Sequence, residues 1–236
     1  MRRAFYNGGP EGAARRALAL THAIPATRIG RRLFPTITRL GSADAVALTF
    51  DDGPGRGVDQ FLDVLDGAGA TVTFFVVGEQ VELDTGSLQE IVSSGHHVGI
   101  HCYRHLDHVR LSPAEVLQDM RRAKEVVEDA TGIPVRLFRP PFGHFSMATW
   151  VEAGRQGWER VLWTLDRDPR DWEPMATPDS IADNVGCPNP GEIILMHDSD
   201  RYGHPDSWRS TLGALPIILE RLHDRGLRAR SLAEML

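Results

Sequence analysis

Two kinds of hydrophobic pattern alternate along the chain from residue 45 onward. Short runs rich in apolar and β-branched residues predict strands, and the segments between them repeat apolar residues three and four positions apart, as helices do. The predicted strands are 46–50, 70–77, 97–100, 135–138, 160–165, 191–196 and 227–230. The predicted helices are 57–68, 87–94, 112–130, 147–156, 181–185 and 212–225. This order predicts parallel strands joined by right-handed crossovers.

Nearly every unusual polar cluster comes directly after a predicted strand. These clusters are Asp51–Asp52, 101–105, 139–143, 166–172 and His197–Asp198. Because parallel strands bring their carboxyl ends to one rim, we expect the five clusters to meet in one site. A simple turn is the alternative at the first cluster, since Asp-Asp-Gly-Pro is also favourable turn chemistry.

One pair of histidines has the spacing of metal ligands. His101 and His105 lie four residues apart, so a helical turn or a tight loop can aim both rings at one point. Two histidines and a carboxylate form a common divalent-metal set, and Asp52 is the candidate third ligand. The alternative is a pair of ordinary hydrogen-bonded histidines, because other histidines lie close by in the sequence.

Composition narrows the class of protein. The 236 residues are 42% hydrophobic and 25% charged, which suits a single globular domain. The net charge of −6 argues against a nucleic-acid partner, which requires a basic surface. Two cysteines, Cys102 and Cys187, do not define a disulfide framework.

Residues 1–43 are rich in arginine and precede the alternating pattern. Their apolar run at 17–20 is too short for a secretory signal, and no window approaches the ~20 apolar residues of a membrane helix. We expect a solvated or packed extension ahead of a domain at 44–236. Peripheral contact of its arginines with an anionic membrane surface is the alternative. The sequence accordingly predicts a cytoplasmic or membrane-peripheral protein.

Five motifs in order resemble those of the polysaccharide deacetylases, the NodB-homology domains of carbohydrate esterase family four. The resemblance runs from about residue 45 to the C-terminus. It rests on Thr-Phe-Asp-Asp-Gly-Pro at 49–54, His-Cys-Tyr-Arg-His at 101–105, Arg-Pro-Pro-Phe-Gly at 139–143, Asp-Pro-Arg-Asp-Trp at 168–172 and Ile-Leu-Met-His at 194–197. It implies a distorted (β/α) barrel of about seven parallel strands with helices outside, in a single catalytic domain.

The activity implied by the resemblance is hydrolysis of N-acetyl groups on an amino-sugar substrate, whether polysaccharide, oligosaccharide or lipid-linked sugar. Asp51 becomes the general base and His197 the general acid, which an amide needs because an amine anion leaves very poorly. Asp171 would orient His197, and Arg139 would hold Asp51 ionised.

One divalent metal ion is also implied by the resemblance, held by Asp52, His101 and His105. Such an ion polarises the acetamide carbonyl and lowers the pKa of water. We expect zinc, although cobalt, manganese, nickel or iron also suits two histidines and a carboxylate.

The resemblance implies substrate contacts by Phe142, Trp172 and Leu195, and Pro141 and Tyr103 are further candidate substrate-contacting residues. The Phe142 N–H is expected to bind the oxyanion, because the two prolines before it have no N–H. Trp172 and Leu195 are expected to line the acetyl pocket. The rings of Trp172, Tyr103 and Trp208 are candidate platforms for a sugar face, with ordinary packing as the alternative.

The chain departs from the family pattern in two places. Cys102 stands where the family usually has serine or threonine; we expect a buried small side chain, with a metal-binding thiolate as the alternative. Asp166 and Asp168 are both candidates for the first acid of the fourth motif.

Two other functions stay open: a related C–N hydrolase acting on a non-sugar amide or cyclic imide, and a catalytically silent carbohydrate-binding relative. The presence of Asp51 and His197 disfavours the silent relative.

Overall fold

The computed structural model describes residues 23–26 and 29–236, and its core is a single sheet of seven parallel strands. The strands are β1 (Ala45–Asp51), β2 (Thr73–Val77), β3 (His97–Cys102), β4 (Leu137–Phe138), β5 (Glu159–Arg160), β6 (Ile193–His197) and β7 (Arg228–Arg230). Their order is β5-β4-β3-β2-β1-β6, and β7 pairs with the first half of β1.

Helices surround this curled sheet. They are α1 (Gly30–Leu33), α2 (Val58–Gly67), α3 (Gly78–Leu83), α4 (Thr85–Ser93), α5 (Pro113–Thr131), α6 (Met147–Arg155), α7 (Pro178–Val185), α8 (Ser207–Asp224) and α9 (Leu232–Met235), with 3₁₀ turns at Ile24–Ala26, Pro141–Gly143 and Leu165–Arg167. The result is a single α/β domain, which confirms the predicted distorted (β/α) barrel. In the described part of the chain, no helix combines the length and apolar character needed to cross a bilayer.

The two faces of β1 show how the sheet directs its side chains. Val46, Leu48 and Phe50 point into the large apolar cluster shared with the helices. Ala47 points the other way, into a small cluster that also contains side chains of β2 and β6. Since successive residues of a strand face opposite sides, Asp51 shares the side of Ala47 and emerges at the carboxyl end of the strand. The polar site therefore lies on the concave side of the sheet, above the small apolar cluster.

A segment before β1 joins the two edges of the sheet. Ile37 forms a parallel bridge with Val161, directly after β5, and Leu40 N–H donates to Gly191 O at 2.8 Å, just before β6. Arg39 also forms an ion pair with Glu192 at 3.5 Å. Residues 37–40 thus pack on the barrel. The extension at 1–43 and its membrane contact stay predictions, because residues 1–22 and 27–28 lie outside the described part of the chain.

Three local predictions were wrong in detail. The strand predicted at 160–165 is only Glu159–Arg160, because the chain then turns into the 3₁₀ helix at Leu165–Arg167. The helix predicted at 212–225 begins at Ser207. Its first turn was not predicted because polar residues interrupt the apolar spacing there, although Trp208 is buried. Helix α3 was not predicted, because Gly78 resembled the end of a strand rather than the start of a helix.

Candidate active site

The two residues assigned as base and acid are neighbours across the sheet. Asp51 and His197 are register partners at the carboxyl ends of the parallel strands β1 and β6. Both side chains face the concave side, since they occupy equivalent positions in the alternation of their strands. The sequence placed them after two strands far apart in the chain, and the fold brings them together.

Arg139 holds two members of the site at once. Its guanidinium is fully buried and donates through Nη1 to Asp51 Oδ1 at 2.7 Å and to Thr49 Oγ1 at 2.8 Å. The Arg139 backbone carbonyl meets His101 Nδ1 at 2.7 Å. The ring of Phe75 lies below the guanidinium, 4.2 Å from its central carbon. One residue therefore fixes the direction of both Asp51 and His101.

Three side chains form a candidate metal set. Asp52, His101 and His105 each offer a ligand atom, and these atoms lie within 4.8 Å of one another. Asp52 Oδ1 is 3.5 Å from His101 Nε2 and 3.2 Å from His105 Nε2. The same Asp52 oxygen is buried and has no hydrogen-bond partner among the described residues. A buried carboxylate oxygen that faces two imidazole nitrogens fits a divalent cation.

The protonation of these groups agrees with metal binding. Burial lowers the pKa of His101 and of His105 to about 3, so both rings are neutral, which is the form that binds metals. His101 donates its Nδ1 proton to Arg139 O, which leaves the lone pair on Nε2. Burial raises the pKa of Asp52 to about 7; the nearby carboxylates Asp51, Asp198 and Asp171 act in the same direction, and the charge of His197 opposes them. A divalent ion at this set would favour the ionised carboxylate.

Asp171 holds His197 by its ring and by its backbone. Its Oδ1 lies 2.7 Å from His197 Nδ1, and its Oδ2 accepts the His197 N–H at 2.8 Å and the Thr211 hydroxyl at 2.9 Å. Burial opposes protonation of the imidazole, but the Asp171 carboxylate, together with Asp52 and Asp51, raises the pKa of His197 to about 10. His197 is therefore cationic at neutral pH, as a general acid requires.

Asp51, the predicted base, has a different environment. Burial raises the pKa of Asp51, and the adjacent Arg139 opposes that shift by favouring the carboxylate. A base with a raised pKa accepts a proton more readily than an exposed aspartate does.

A cleft of about 440 Å³ opens above these groups. Its lining residues are Asp51, Asp52, His101, His105, Phe142, Gly143, Trp163, Asp168, Trp172, Leu195, His197 and Tyr202. Three of the predicted substrate-contacting residues are thus present: Phe142, Trp172 and Leu195. Phe142 adopts a left-handed backbone conformation with φ of 59°, which is uncommon for a bulky residue. The following N–H groups, of Gly143 and His144, already donate to Pro140 and Pro141 carbonyls.

Other predicted contacts lie elsewhere. The Tyr103 hydroxyl donates to Glu82 at 2.9 Å, and this tyrosine is not among the residues that line the cleft. Pro141 is buried in its turn, and Trp208 is buried against Gly57. Of the two rival acids, Asp168 lines the cleft, whereas Asp166 does not.

Burial determines the protonation state of the Cys102 thiol. Its thiol is buried and its pKa is raised well above the ordinary value, mainly by desolvation, so the group stays protonated. The candidate metal set in the described chain does not include it. The interpretation as a buried small side chain therefore fits better than a metal-binding thiolate.

Sequence reasoning missed several residues that support the site. Asp119 of α5 accepts the N–H groups of Tyr103 at 2.8 Å and of Arg104 at 3.0 Å, between the candidate ligands His101 and His105. Asp119 could have been found from the sequence as a carboxylate on the apolar stripe of a predicted helix, three residues after Val116. Trp163 and Tyr202 line the cleft, and only their positions shortly after strands could have indicated it.

Known proteins resemble this chain over most of its length. A family model described as polysaccharide deacetylase matches residues 39–161. A peptidoglycan-N-acetylglucosamine deacetylase of Bacillus cereus is 33% identical, over 81% of this chain and 87% of its own. A chitooligosaccharide deacetylase of Sinorhizobium fredii is 34% identical, over 84% of this chain and 95% of its own. A solved structure of a peptidoglycan N-acetylglucosamine deacetylase matches with a TM-score of 0.80 at 27% identity, covering 89% of this chain and 97% of that one.

These matches confirm what the five motifs indicated about kinship and about the class of enzyme. The family model covers the first three motifs, and the relatives' alignments, which span four-fifths of the chain or more, extend the likeness beyond it. With the barrel and the clustered carboxylates and histidines already in place, the chain belongs to the polysaccharide deacetylase family.

Proposed function

We propose that this chain is a metal-dependent hydrolase that removes the N-acetyl group from an N-acetylglucosamine-type sugar. The placement of Asp51 beside His197, next to the Asp52–His101–His105 set, carries the proposal. Relatives named for deacetylating N-acetylglucosamine in peptidoglycan, and for deacetylating chitooligosaccharides, support this substrate class. The exposed ring of Trp172 at the cleft offers a flat apolar face of the kind that packs on a sugar ring.

Asp52, His101 and His105 would hold the metal ion. When bound, a divalent cation acts as a Lewis acid on the acyl carbonyl and lowers the pKa of water. We infer zinc, because two neutral imidazoles and one carboxylate are a common zinc set that leaves a position open. Cobalt, manganese, nickel and iron suit the same ligands.

The residues of this chain then divide the proton transfers between them. Asp51, aimed by Arg139, takes a proton from the attacking water. The Phe142 N–H donates to the oxygen that becomes negative as the carbonyl carbon turns tetrahedral. His197 enters the reaction protonated and gives its proton to the departing amine, so the C–N bond breaks without forming an amine anion. Leu195 and Trp172 line the space that the acetyl methyl would occupy.

Acetate release from N-acetylglucosamine oligomers tests this function. Metal-stripped protein should release little acetate, and added zinc or cobalt should restore release. The Asp51→Asn variant, assayed with the same ions, is the matched control and should stay inactive. Release that is independent of metal, or equal in the variant, would contradict the proposed mechanism. An absence of release with every ion named above, combined with hydrolysis of a cyclic imide, would replace the sugar substrate with a non-sugar one.

A further inference from the structure

The loop after β6, residues 198–206, connects the site to two neighbouring loops. Asp198 is fully buried, and its Oδ2 accepts the Gly55 N–H at 2.9 Å, just after the Asp51–Asp52 pair. The N–H of His204 donates to the Trp172 carbonyl at 3.1 Å. Both ends of the loop are thus attached to segments that carry site residues. The position of its central residues is consequently fixed with respect to the cleft.

Tyr202 lies in the middle of this loop and covers one metal ligand. Its ring stacks on the His105 imidazole, with centroids 4.3 Å apart and planes 18° from parallel. Phe142 meets the same imidazole edge-on, at 4.7 Å and 62°. The His105 ring therefore has aromatic contacts with two loops from other parts of the chain.

The two histidine ligands are oriented by different means. His101 is directed by the hydrogen bond between its Nδ1 and the Arg139 carbonyl at 2.7 Å. Among the described residues, the His105 ring has a hydrogen bond only to its own backbone, the Tyr202 and Phe142 rings pack against it, and its Nε2 faces Asp52 at 3.2 Å. A flat contact on an imidazole limits rotation of its plane, and the plane determines where the Nε2 lone pair points.

We propose that Tyr202 is a positioning residue that stacks on His105 and holds its Nε2 toward the metal site. The inference rests on the proposed metal-binding role of His105. The ring, rather than the hydroxyl, makes the contact, so phenylalanine should replace tyrosine and alanine should not. Because Tyr202 also lines the cleft, a role in substrate contact alone is the competing explanation, and it predicts a different measurement.

The test compares zinc binding by metal-stripped wild-type protein with that of three variants, using competition against a chromophoric chelator. Tyr202→Ala should raise the zinc dissociation constant by about tenfold or more, as loss of a ligand-orienting contact does. Tyr202→Phe should stay within about twofold of wild type, since the stacked ring remains. Met175→Ala, at a methionine that is 87% exposed, is the control for removal of an exposed apolar side chain and should change nothing.

Steady-state kinetics at saturating zinc separate the two explanations. If Tyr202→Ala binds zinc as wild type does and only its KM for the acetylated sugar rises, Tyr202 contacts substrate and the positioning role is overturned. If wild-type protein itself binds no zinc, the proposed metal function fails and this inference falls with it. Thermal unfolding of the metal-free variants shows whether Tyr202→Ala, a change at a partly exposed side chain, leaves the fold intact.

Discussion

His197 and Asp171 form a close ion pair at the floor of the cleft, with Nδ1 and Oδ1 2.7 Å apart. Asp171 is fully buried and reaches the His197 backbone as well, so the carboxylate fixes both the direction of the ring and its charge. Burial opposes protonation of His197, but this partner, together with Asp52 and Asp51, raises the pKa of the imidazole to about 10. The acid form therefore persists through neutral pH.

Replacing Asp171 with asparagine should move the alkaline limb of the pH–rate profile to lower pH. Deprotonation of His197 removes the acid, so the rate falls as pH rises through its pKa. Without the carboxylate, burial lowers that pKa, and we expect the limb to shift by roughly 1 to 3 pH units. The profile of amide hydrolysis at fixed saturating zinc measures the shift. Asp166→Asn, the same change at an exposed carboxylate outside the cleft, is the control; an unshifted limb in Asp171→Asn would argue against the pairing.

His197→Ala should distinguish substrates by their leaving groups. An amine needs a proton as it departs, whereas the nitrophenolate of an activated acetate ester leaves as a stable anion. The variant should therefore lose on the order of 100- to 10,000-fold in rate on the acetamide and much less on the ester. Parallel assays of an N-acetyl sugar and a nitrophenyl acetate measure both losses. Equal losses on the two substrates would exclude the general-acid role.

Asp51→Asn should separate the base from the metal ligands. Asp51 is held by Arg139 and lies outside the Asp52–His101–His105 set, so the variant should bind zinc normally. Turnover should fall on the order of 100- to 10,000-fold, because asparagine cannot accept the proton. Asp52→Asn is the matched comparison and should lose zinc affinity instead. If the two variants exchange these behaviours, the base and ligand assignments are reversed. Metal content and kcat, measured on the same preparations, decide between them.

The polar clusters after the strands could be predicted because short apolar runs alternate with segments of helical spacing. Short continuous apolar runs locate the carboxyl ends of β1 and β6, and parallel order brings those ends together, so Asp51 and His197 were expected to meet. The metal set was expected on the same ground, since His101 directly follows a predicted strand and His105 comes four residues later.

The supporting contacts could not be predicted, because they depend on side-chain directions in irregular segments. Tyr103 lies between two candidate ligands in sequence, yet its ring packs beside α3, where the Glu82 carboxylate accepts its hydroxyl. Tyr202 sits in a loop without periodicity, and nothing in its neighbours specifies that its ring reaches His105. The pairing of residues 37–40 with the edges of the sheet could not be predicted either, because so few extended residues show no hydrophobic periodicity.

Asp119→Asn should weaken metal binding without touching a ligand. The buried carboxylate accepts the N–H groups of Tyr103 and Arg104, which form the turn between His101 and His105. An asparagine presents one oxygen and one NH₂ group, so one of the two N–H groups loses its acceptor and the turn loosens. Changes in such supporting contacts lower metal affinity by roughly 10- to 100-fold.

Zinc competition on metal-stripped protein measures the effect of Asp119→Asn, and thermal unfolding accompanies it because a buried N–H left without an acceptor costs about 1 to 3 kcal/mol. Asp129→Asn, the same change at an exposed position of α5, is the control and should match wild type in both measurements. Reduced stability with unchanged zinc affinity would mean that Asp119 supports the fold alone. Reduced affinity in a variant that remains folded at the assay temperature would show that the carboxylate on α5 sets the geometry of the histidine ligands.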